Sequence, residues 1–377
     1  MTEKEAYIAL NMVQSVGAAT VGNGIERLGS VVRFFTASAK QLATVKGISS
    51  AMAEELAASF ATVDWQSEIA RAQSQNVKLL TPVDDGYPTL LRQIHYPPLA
   101  LYITGDPATL SFASLAVVGT RSPTSYGLAN AKTFSYRLAQ CGVSIVSGLA
   151  RGVDTEAHRG ALLAEGRTVA VIGSALDKLY PSENRGLAHK IVKSGGAVIT
   201  EYPFGRSADR QTFPMRNRII SGLSSAVLVV EAGVNSGTLI TVDHALEQGR
   251  SVMAIPGRID SAAAQGCHKL IKNGARLVET PDEVLDEMQS LPNAMANPAP
   301  GIPCPVERKP AQKPKVALDD VEKQILEVLA DGEMTPDALV NATGLSAALV
   351  SPRIVSLEMK CQLERTHGNF VRLRKNL

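Results

Sequence analysis

The sequence has little cysteine, and its four cysteines lie far apart. Cys141, Cys267, Cys304 and Cys361 form no CxxC pair and no cluster with histidine. This distribution excludes the common spacings of zinc-binding cysteines and is typical of a protein in a reducing compartment.

The chain also lacks long apolar runs and a strong net charge. No apolar run approaches the roughly 20 residues that are needed to span a bilayer. The N-terminal segment carries acidic residues and has neither the basic start nor the small-residue cleavage site of a signal peptide. We therefore expect a cytoplasmic protein without a membrane partner. Because the formal net charge is only +2, any binding of nucleic acid must come from local clusters of basic residues.

Several catalytic and cofactor motifs are absent. The chain contains no P-loop, no GxSxG and no HExxH, and GxGxxG does not follow the first strand of the predicted core. Asp154 and His158 are four residues apart and could share a helix face as metal ligands. A helix cap at Asp154 and a packing role for His158 explain the same spacing better. We therefore predict no enzyme activity, no cofactor and no metal.

The length of 377 residues suggests two or three domains. We predict a helical N-terminal domain at 1–75 and a core at 80–286. A proline-rich linker is predicted at 287–316, because this stretch holds seven prolines and few bulky apolar residues. A second compact domain is predicted at 317–377.

The N-terminal domain contains two glycine turns beside helix starts, at 15–29 and 45–59. Such turns occur in helix-hairpin-helix units, where backbone amides face a DNA phosphate, and equally in small helical bundles. Because the segment has few lysines and arginines, we expect little DNA binding from this domain alone.

The core alternates short apolar runs with helix-like segments. This alternation predicts an α/β fold of the extended Rossmann-like type, with a mainly parallel sheet covered by helices on both faces. Strands are predicted at 115–118, 143–147, 168–172, 197–200, 226–230, 251–255 and 276–279. Helices are predicted at 127–140, 154–164, 184–194, 214–222, 237–248 and 267–272. Upstream, Leu99–Ile103 is predicted as an edge strand.

Three helical stretches and an alternating segment predict a winged helix at the C-terminal end. They lie at 321–332, 335–344, 346–361 and 362–374. The hairpin of the wing is predicted around His367–Asn369. Pro352 is expected to kink the third helix, which weakens the prediction that this helix reads a DNA major groove. A protein-contact or dimer-forming domain is an equally good interpretation.

Phosphate-sized turns follow the strands of the core, at the sheet edge where ligands of such folds bind. Glycine lets the backbone approach a ligand closely, and unpaired N–H groups at a helix start favour an anion. Residues of this kind, with the basic side chains of the same turns, are Gly119, Thr120, Arg121, Gly148, Arg151, Gly152, Lys178, Ser236, Gly237 and Thr238. Further cations of these loops are Arg206, Arg210, Arg216, Arg218 and Arg258.

Arginines with interleaved aromatic residues suit a single nucleic-acid strand, because arginine binds phosphate and aromatic rings stack on bases. The aromatic residues of these loops are Tyr126, Tyr180 and Phe213, although Phe213 is also a candidate core residue. For any one arginine, an ion pair with Asp154, Asp177, Glu201 or Glu231 is a competing interpretation. It explains the whole set poorly, because arginines outnumber the nearby carboxylates.

Eight ordered motifs in this chain resemble the DNA-processing protein A (DprA/Smf) family. They are VGTRSPTSYG, VSGLARGVDTEAH, AVIGSALDKLYPSEN, TEYPFG, FPMRNRIISGLS, VVEAGVNSGTLIT, PGRID and GCHKLIKNGA. The resemblance is dense over residues 80–280 and extends more loosely to both ends. The DNA pocket that it implies includes Arg121 near Tyr126 and Gly127, the segment with Phe213, Arg216, Asn217 and Arg218, and Arg151 with Ser236–Thr238.

The resemblance also implies a function. The family is a recombination mediator of natural transformation that binds and protects incoming single-stranded DNA. It loads the RecA recombinase in the presence of single-strand-binding protein, acts as a homodimer and needs no cofactor. One departure from the family pattern lies at Gly266–His268, where many members have G-[TS]-N.

Two other functions compete with this interpretation. Phosphoribohydrolases of nucleoside monophosphates share the extended Rossmann type and carry PGGxGTxxE. Here Thr241 occupies the place of the glutamate, so the carboxylate that would stabilise an oxocarbenium-like transition state is missing. A duplex-reading regulator that acts through the winged helix would leave the basic loops of the core without a purpose.

Overall fold

The structure is a computed structural model that describes residues 1–292, 294–295, 297, 319–360, 362–366 and 370–373. It divides into two compact units, Met1–Pro305 and Val306–Leu377. The first unit holds the N-terminal helices and the large sheet, and the second holds the C-terminal helices and hairpin.

The N-terminal region is helical, as predicted. Its helices are α1 Glu3–Met12, α2 Ala18–Leu28, α3 Val31–Phe35, α4 Ala39–Leu42, α5 Ser50–Thr62 and α6 Trp65–Ser74. Phe34 and Phe60 meet edge to face in its core, with ring centroids 5.8 Å apart. Gly24 is required there, because a Cβ atom at this position would lie 2.3 Å from the Phe34 ring.

A nine-stranded sheet forms the centre of the first unit. Its strands are β1 Lys78–Leu80, β2 Leu101–Gly105, β3 Ser114–Val118, β4 Ser144–Ser147, β5 Thr168–Val171, β6 Ala197–Thr200, β7 Ala226–Val229, β8 Ser251–Ala254 and β9 Arg276–Leu277. Their spatial order is β1-β2-β6-β5-β4-β3-β7-β8-β9. In this spatial order, all neighbouring strands from β6 through β3 to β9 pair parallel. This confirms the predicted α/β class.

The prediction that Leu99–Ile103 is an edge strand is wrong. The strand is β2, shifted two residues along the chain, and it lies between β1 and β6 with antiparallel pairing on both sides. Leu101 and Ile103 are fully buried. The outer strand β1 is only three residues long, too short to leave a pattern of alternation in the sequence.

Helices cover both faces of the sheet. They are α7 Thr89–Arg92, α8 Ser125–Gln140, α9 Val153–Leu163, α10 Arg185–Lys193, α11 Thr212–Leu223, α12 Thr238–Glu247, α13 Gln265–Lys272 and α14 Pro281–Ser290. Leu115 and Val117 of β3 share a buried cluster with Phe134 of α8. The alternate residue Val118 belongs to a second cluster, with Ile219 of α11. Both faces of β3 are therefore apolar, as is typical of a parallel sheet.

The core extends beyond residue 286, where the linker was predicted to follow. Helix α14 continues to Ser290. Farther along, the carbonyl oxygen of Asn297 accepts a hydrogen bond of 2.7 Å from the N–H of Ala113, just before β3. The first residues of the predicted linker are thus part of the folded unit.

The second unit consists of α15 Asp320–Val328, α16 Pro336–Thr343, α17 Ala347–Met359, β10 Leu363–Arg365 and β11 Val371–Leu373. The two strands pair antiparallel, so the three helices and hairpin of a winged helix are present. The predicted turn at His367–Asn369 lies outside the described residues. Helix α17 continues through Pro352. Across the described part of the chain, no single helix is long and apolar enough to cross a membrane, and α16 with α17 meet the criterion only as a pair bent by 119°.

Candidate nucleic-acid interface

A cleft lies at the carboxyl ends of β3, β4 and β5, next to the start of α11. Its lining residues are Arg121, Gly148, Ala150, Arg151, Gly173, Tyr180, Pro181, Phe213 and Arg216. The winding of the sheet reverses between β3 and β7, so the cleft lies beside the position where ligands of such sheets bind. Five residues that the sequence predicted as DNA contacts meet here, namely Arg121, Gly148, Arg151, Phe213 and Arg216.

Arg216 forms the buried end of the cleft. Its side chain donates hydrogen bonds through Nη1 to the carbonyl oxygens of Gly148 and Val171. Burial lowers the pKa of Arg216 to about 10, partly offset by nearby Asp154, so the guanidinium stays charged at neutral pH. A Cβ atom at Gly148 would lie 2.0 Å from this Nη1 atom. The glycine is therefore required by a protein contact, before any ligand is considered.

Arg121 lies at the exposed side of the cleft over an aromatic ring. Its guanidinium carbon is 5.0 Å from the ring centroid of half-buried Phe213. The ring of Phe213 in turn packs against Tyr180, with centroids 5.8 Å apart and planes tilted by 52°. Within the described residues Arg121 has no carboxylate partner. Its charge and the exposed ring of Tyr180 are both available to a ligand.

Ion pairs account for most of the other arginines near the sheet edge. Arg151 pairs with Glu183, Arg206 with Asp209, Arg218 with Glu201, and Arg258 with Asp260. Of the arginines that the sequence grouped together, only Arg121, Arg151 and Arg216 line the cleft.

Arg218 lies two residues after Arg216 but in a different environment. It is buried against Glu201, and burial raises the pKa of that carboxyl, an effect that Arg218 partly offsets. Arg218 does not belong to the cleft lining.

Asp154 does not cap a helix, which corrects the prediction from its sequence position. The N-cap of α9 is Gly152, and the buried carboxylate of Asp154 accepts hydrogen bonds from the N–H groups of Gly148 and Ala150 at 3.0 and 3.3 Å. These two amides are therefore not available to a phosphate. The N–H groups of Leu149, Arg151 and Gly152 have no hydrogen-bond partner in the described part of the chain.

Glu231 organises the loop after β3. Its side chain accepts hydrogen bonds from the N–H and the hydroxyl of Thr124 at 2.9 and 2.6 Å. Its backbone oxygen accepts from the N–H of Thr120 at 2.8 Å. A Cβ atom at Gly127 would lie 2.2 Å from the Glu231 carboxylate, and one at Gly152 would lie 2.5 Å from the Thr120 oxygen. Gly127 thus lets the first turn of α8 pack against Glu231, and Gly152 lets the loop after β4 pack against the loop after β3.

The remaining predicted site residues lie outside the cleft lining. Tyr126 donates from its hydroxyl to the carbonyl of Pro256 at 2.8 Å, and Lys178 is exposed on a short 3₁₀ turn. Asn217 is half-buried on α11. At the start of α12, the hydroxyl of Ser236 accepts from the N–H of Thr238 at 3.2 Å and donates to its hydroxyl. Gly119 and Gly237 lie in the loops after β3 and β7.

His158 packs in the interior. Its Nδ1 atom lies 2.7 Å from the hydroxyl of Thr168, and burial, with a smaller effect of Arg216, lowers its pKa to about 3. Among the residues that the structure describes, no group of His, Cys, Asp and Glu is arranged to hold a metal ion.

The Gly266–His268 segment, where the sequence departs from the family pattern, lies in the first turn of α13. The N–H of Gly266 donates to the carbonyl of Ala232 at 2.7 Å. The Nε2 atom of His268 lies 2.9 Å from the carbonyl oxygen of Gly257. These contacts attach α13 to the loops that follow β7 and β8.

Sequence reasoning missed Glu183 and Asn184, which follow the tyrosine and proline of the cleft. Buried Asn184 donates to the carbonyl of Leu149 at 2.8 Å and to the hydroxyl of Thr155 at 2.9 Å. It thereby ties the Tyr180–Asn184 loop to the loop after β4. The sequence signal was an amide and an acid after the Tyr-Pro pair, which a single sequence cannot assign to a partner loop.

Comparison with known proteins identifies the family. The model of DNA recombination-mediator protein A matches residues 78–289, and that of the DprA winged helix domain matches 309–369. Protein Smf of Escherichia coli K12 is 37% identical over 324 residues, or 84% of this chain and 83% of that protein.

Solved structures agree with this match. The X-ray structure of DNA processing protein A from Streptococcus pneumoniae has a TM-score of 0.66 and 34% identity, and covers 76% of this chain and 98% of that chain. A structure that concerns the single-stranded DNA binding mode of the Helicobacter pylori protein has a TM-score of 0.51 and 27% identity, with coverage of 56% and 96%. The chain described here belongs to the DNA-processing protein A (DprA/Smf) family.

Proposed function

We propose that this protein binds single-stranded DNA in the cleft between the loops that follow β3, β4 and β5. The observation that carries the proposal is the presence of three arginines and two aromatic rings around one cleft, namely Arg121, Arg151, Arg216, Phe213 and Tyr180. Arginine forms paired hydrogen bonds with phosphate oxygens, and aromatic rings stack on unpaired bases.

Each group has a distinct role in this proposal. Arg121 contacts a backbone phosphate directly, and the unpaired N–H groups of Arg151 and Gly152 offer donors beside it. Arg216 is buried and held by two hydrogen bonds, so it supplies positive charge at a fixed position. These bonds connect the loop after β4, through Gly148, with the end of β5, at Val171. Tyr180 receives a base, which requires that the base is not already paired and stacked in a duplex.

The wider role follows from the family. We infer that the protein is a recombination mediator that protects single-stranded DNA and loads RecA onto it, in the presence of single-strand-binding protein, during natural transformation. In this role it acts as a homodimer, whose two clefts raise the effective affinity for one strand. Light scattering of the purified chain tests the dimer. RecA filament assembly on strands coated with single-strand-binding protein, with and without the chain, tests the loading.

Fluorescence anisotropy with single-stranded and duplex DNA of equal length tests the DNA-binding proposal. Over a salt series, we expect binding that prefers the single strand, with a log–log slope of about −0.7 for each phosphate neutralised. Equal binding of duplex would move the site to the winged helix and contradict the proposal.

A phosphoribohydrolase function is not supported by the same sheet edge. Thr241, which occupies the position of the hydrolase glutamate, is a buried neutral residue of α12. Release of free base from a nucleoside monophosphate by the purified chain would overturn the non-catalytic assignment.

A further inference from the structure

One of the three cleft arginines, Arg151, already forms an ion pair with a carboxylate. The Nε and Nη2 groups of Arg151 donate to the two carboxylate oxygens of Glu183, the second at 2.9 Å. Both side chains are exposed, by 59% and 49%. Because exposed ion pairs are weak, a phosphate can take the place of this carboxylate on Arg151.

The position of Glu183 is fixed by the fold. It belongs to a 3₁₀ turn at Ser182–Asn184, directly after the cleft residues Tyr180 and Pro181. The next residue, Asn184, is buried and hydrogen-bonded to the carbonyl of Leu149 in the loop that carries Arg151. When a phosphate replaces Glu183 as the partner of Arg151, the backbone of Glu183 therefore stays in place. The negative charge of the Glu183 carboxylate then remains next to the cleft.

That remaining charge acts differently on two kinds of phosphate. A phosphodiester in a DNA backbone carries one negative charge, whereas a phosphate monoester carries between about −1.5 and −2 at pH 7. Repulsion by a carboxylate is proportional to the charge of the ligand, so it is nearly twice as large for the monoester.

We propose that Glu183 is a specificity residue, which makes the cleft prefer the phosphodiester backbone over nucleoside monophosphates and 5′-phosphorylated ends. The inference rests on the proposed function, since it concerns the ligand of the same cleft. In this role, Glu183 disfavours free nucleotides, which would otherwise compete with DNA for the three cleft arginines.

The test compares Glu183→Gln with wild type for two small ligands that differ mainly in the charge of their phosphate group. Thymidine 5′-monophosphate and its methyl phosphodiester share base and sugar, and each is titrated as a competitor of a labelled oligothymidylate with a 5′-hydroxyl. A unit charge at about 4 Å in water changes an equilibrium roughly fivefold. We expect the variant to bind the diester about fivefold more tightly and the monoester roughly 10- to 25-fold more tightly.

Glu156→Gln is the matched control. Glu156 also pairs with an arginine, the exposed Arg159, although its own side chain is only 16% exposed. Neither residue lines the cleft. This variant changes the net charge by the same amount, and we expect no change in the ratio of monoester to diester affinity. A similar change of the ratio in both variants would reduce the effect to net charge and overturn the proposal.

Arg151→Ala, alone and combined with Glu183→Gln, locates the effect. Without Arg151 the phosphate no longer sits beside Glu183, so we expect the second substitution to leave the ratio unchanged. Equal gains for monoester and diester in the single variant Glu183→Gln, or no gain, would reject the specificity role. Failure of the proposed function looks different, because then Arg121→Ala would leave the binding of the oligothymidylate unaffected.

Discussion

The guanidinium of Arg121 rests on the ring of Phe213, with its central carbon 5.0 Å from the ring centroid. A cation over an aromatic face at an exposed site gains about 0.5–1 kcal/mol. This contact orients the side chain without neutralising it, unlike the carboxylate that occupies Arg151. Arg121 can therefore receive a phosphate without first losing an ion pair.

Arg121→Ala is expected to weaken the binding of single-stranded DNA by about tenfold or more, because a hydrogen bond to a charged group contributes about 1.5–3 kcal/mol. The log–log salt slope should become about 0.7 less steep, since one phosphate contact is lost. Anisotropy titrations at several salt concentrations measure both. Arg159→Ala removes an exposed arginine outside the cleft lining and should change neither. Equal losses in the two variants would contradict a specific role for Arg121.

Gly148→Ala should destabilise the protein and weaken DNA binding together. The added methyl group would lie 2.0 Å from Nη1 of Arg216, so the guanidinium must leave its two carbonyl partners. We expect a loss of about 1–3 kcal/mol in the free energy of unfolding, measured with urea. Gly186 of α10 has no atom within 4 Å of an added Cβ, and Gly186→Ala should be neutral or stabilising. If Gly148→Ala unfolds with the same free energy as wild type, the added methyl group does not displace Arg216, and the prediction is wrong.

His158 should make the stability of the protein depend on pH. Its pKa is lowered to about 3 by burial and by Arg216, whereas an unfolded histidine titrates near about 6.5. Between these values the unfolded chain binds a proton that the folded chain excludes, so stability falls as the pH falls. At pH 5 the loss is about 2 kcal/mol relative to pH 7.5. Unfolding of wild type and His158→Gln at both pH values isolates the effect, and parallel pH dependence in the two proteins would exclude it.

Pro352→Ala should stabilise the C-terminal unit. Helix α17 continues through this proline, which lacks the N–H that would bond to the preceding turn, and alanine is favoured over proline inside a helix by up to about 3 kcal/mol. We expect a higher unfolding temperature of this unit in calorimetry of the full chain. Ser351→Ala, at the neighbouring exposed position, should change the free energy of unfolding by less than about 0.5 kcal/mol. A lower unfolding temperature for Pro352→Ala would contradict this prediction and would mean that the proline stabilises the backbone conformation of α17 in this unit.

The sequence predicted the parallel strands well because each is a continuous apolar run between turn signals. The predicted range 197–200 coincides with β6, and 226–230 exceeds β7 by one residue. Strand β1 was missed, because three residues are too few to show an alternating pattern. Strand β2 was predicted two residues too early and at the edge of the sheet, because the sequence did not reveal the short strand beside it. The alternation of strand and helix thus predicts the parallel part of the sheet, but not the antiparallel strands β1 and β2 at its edge.

The candidate site was predictable as a set of loops and less so as a set of contacts. Arg216 and Arg218 look alike in the sequence, yet residues two apart on a helix point about 200° from each other. One lines the cleft, and the other is buried against Glu201. Likewise, Asp154 has the position of a helix cap but bonds to Gly148 and Ala150 instead. Only the packing of loops decides between such partners.

The two margins of the large sheet have a consequence for solubility. The outermost strands β1 and β9 are three and two residues long. Each leaves few unpaired N–H and C=O groups toward solvent, so neither is a good template for strand addition by another molecule. Short outer strands therefore protect the interior β-structure of the sheet from growing into aggregates.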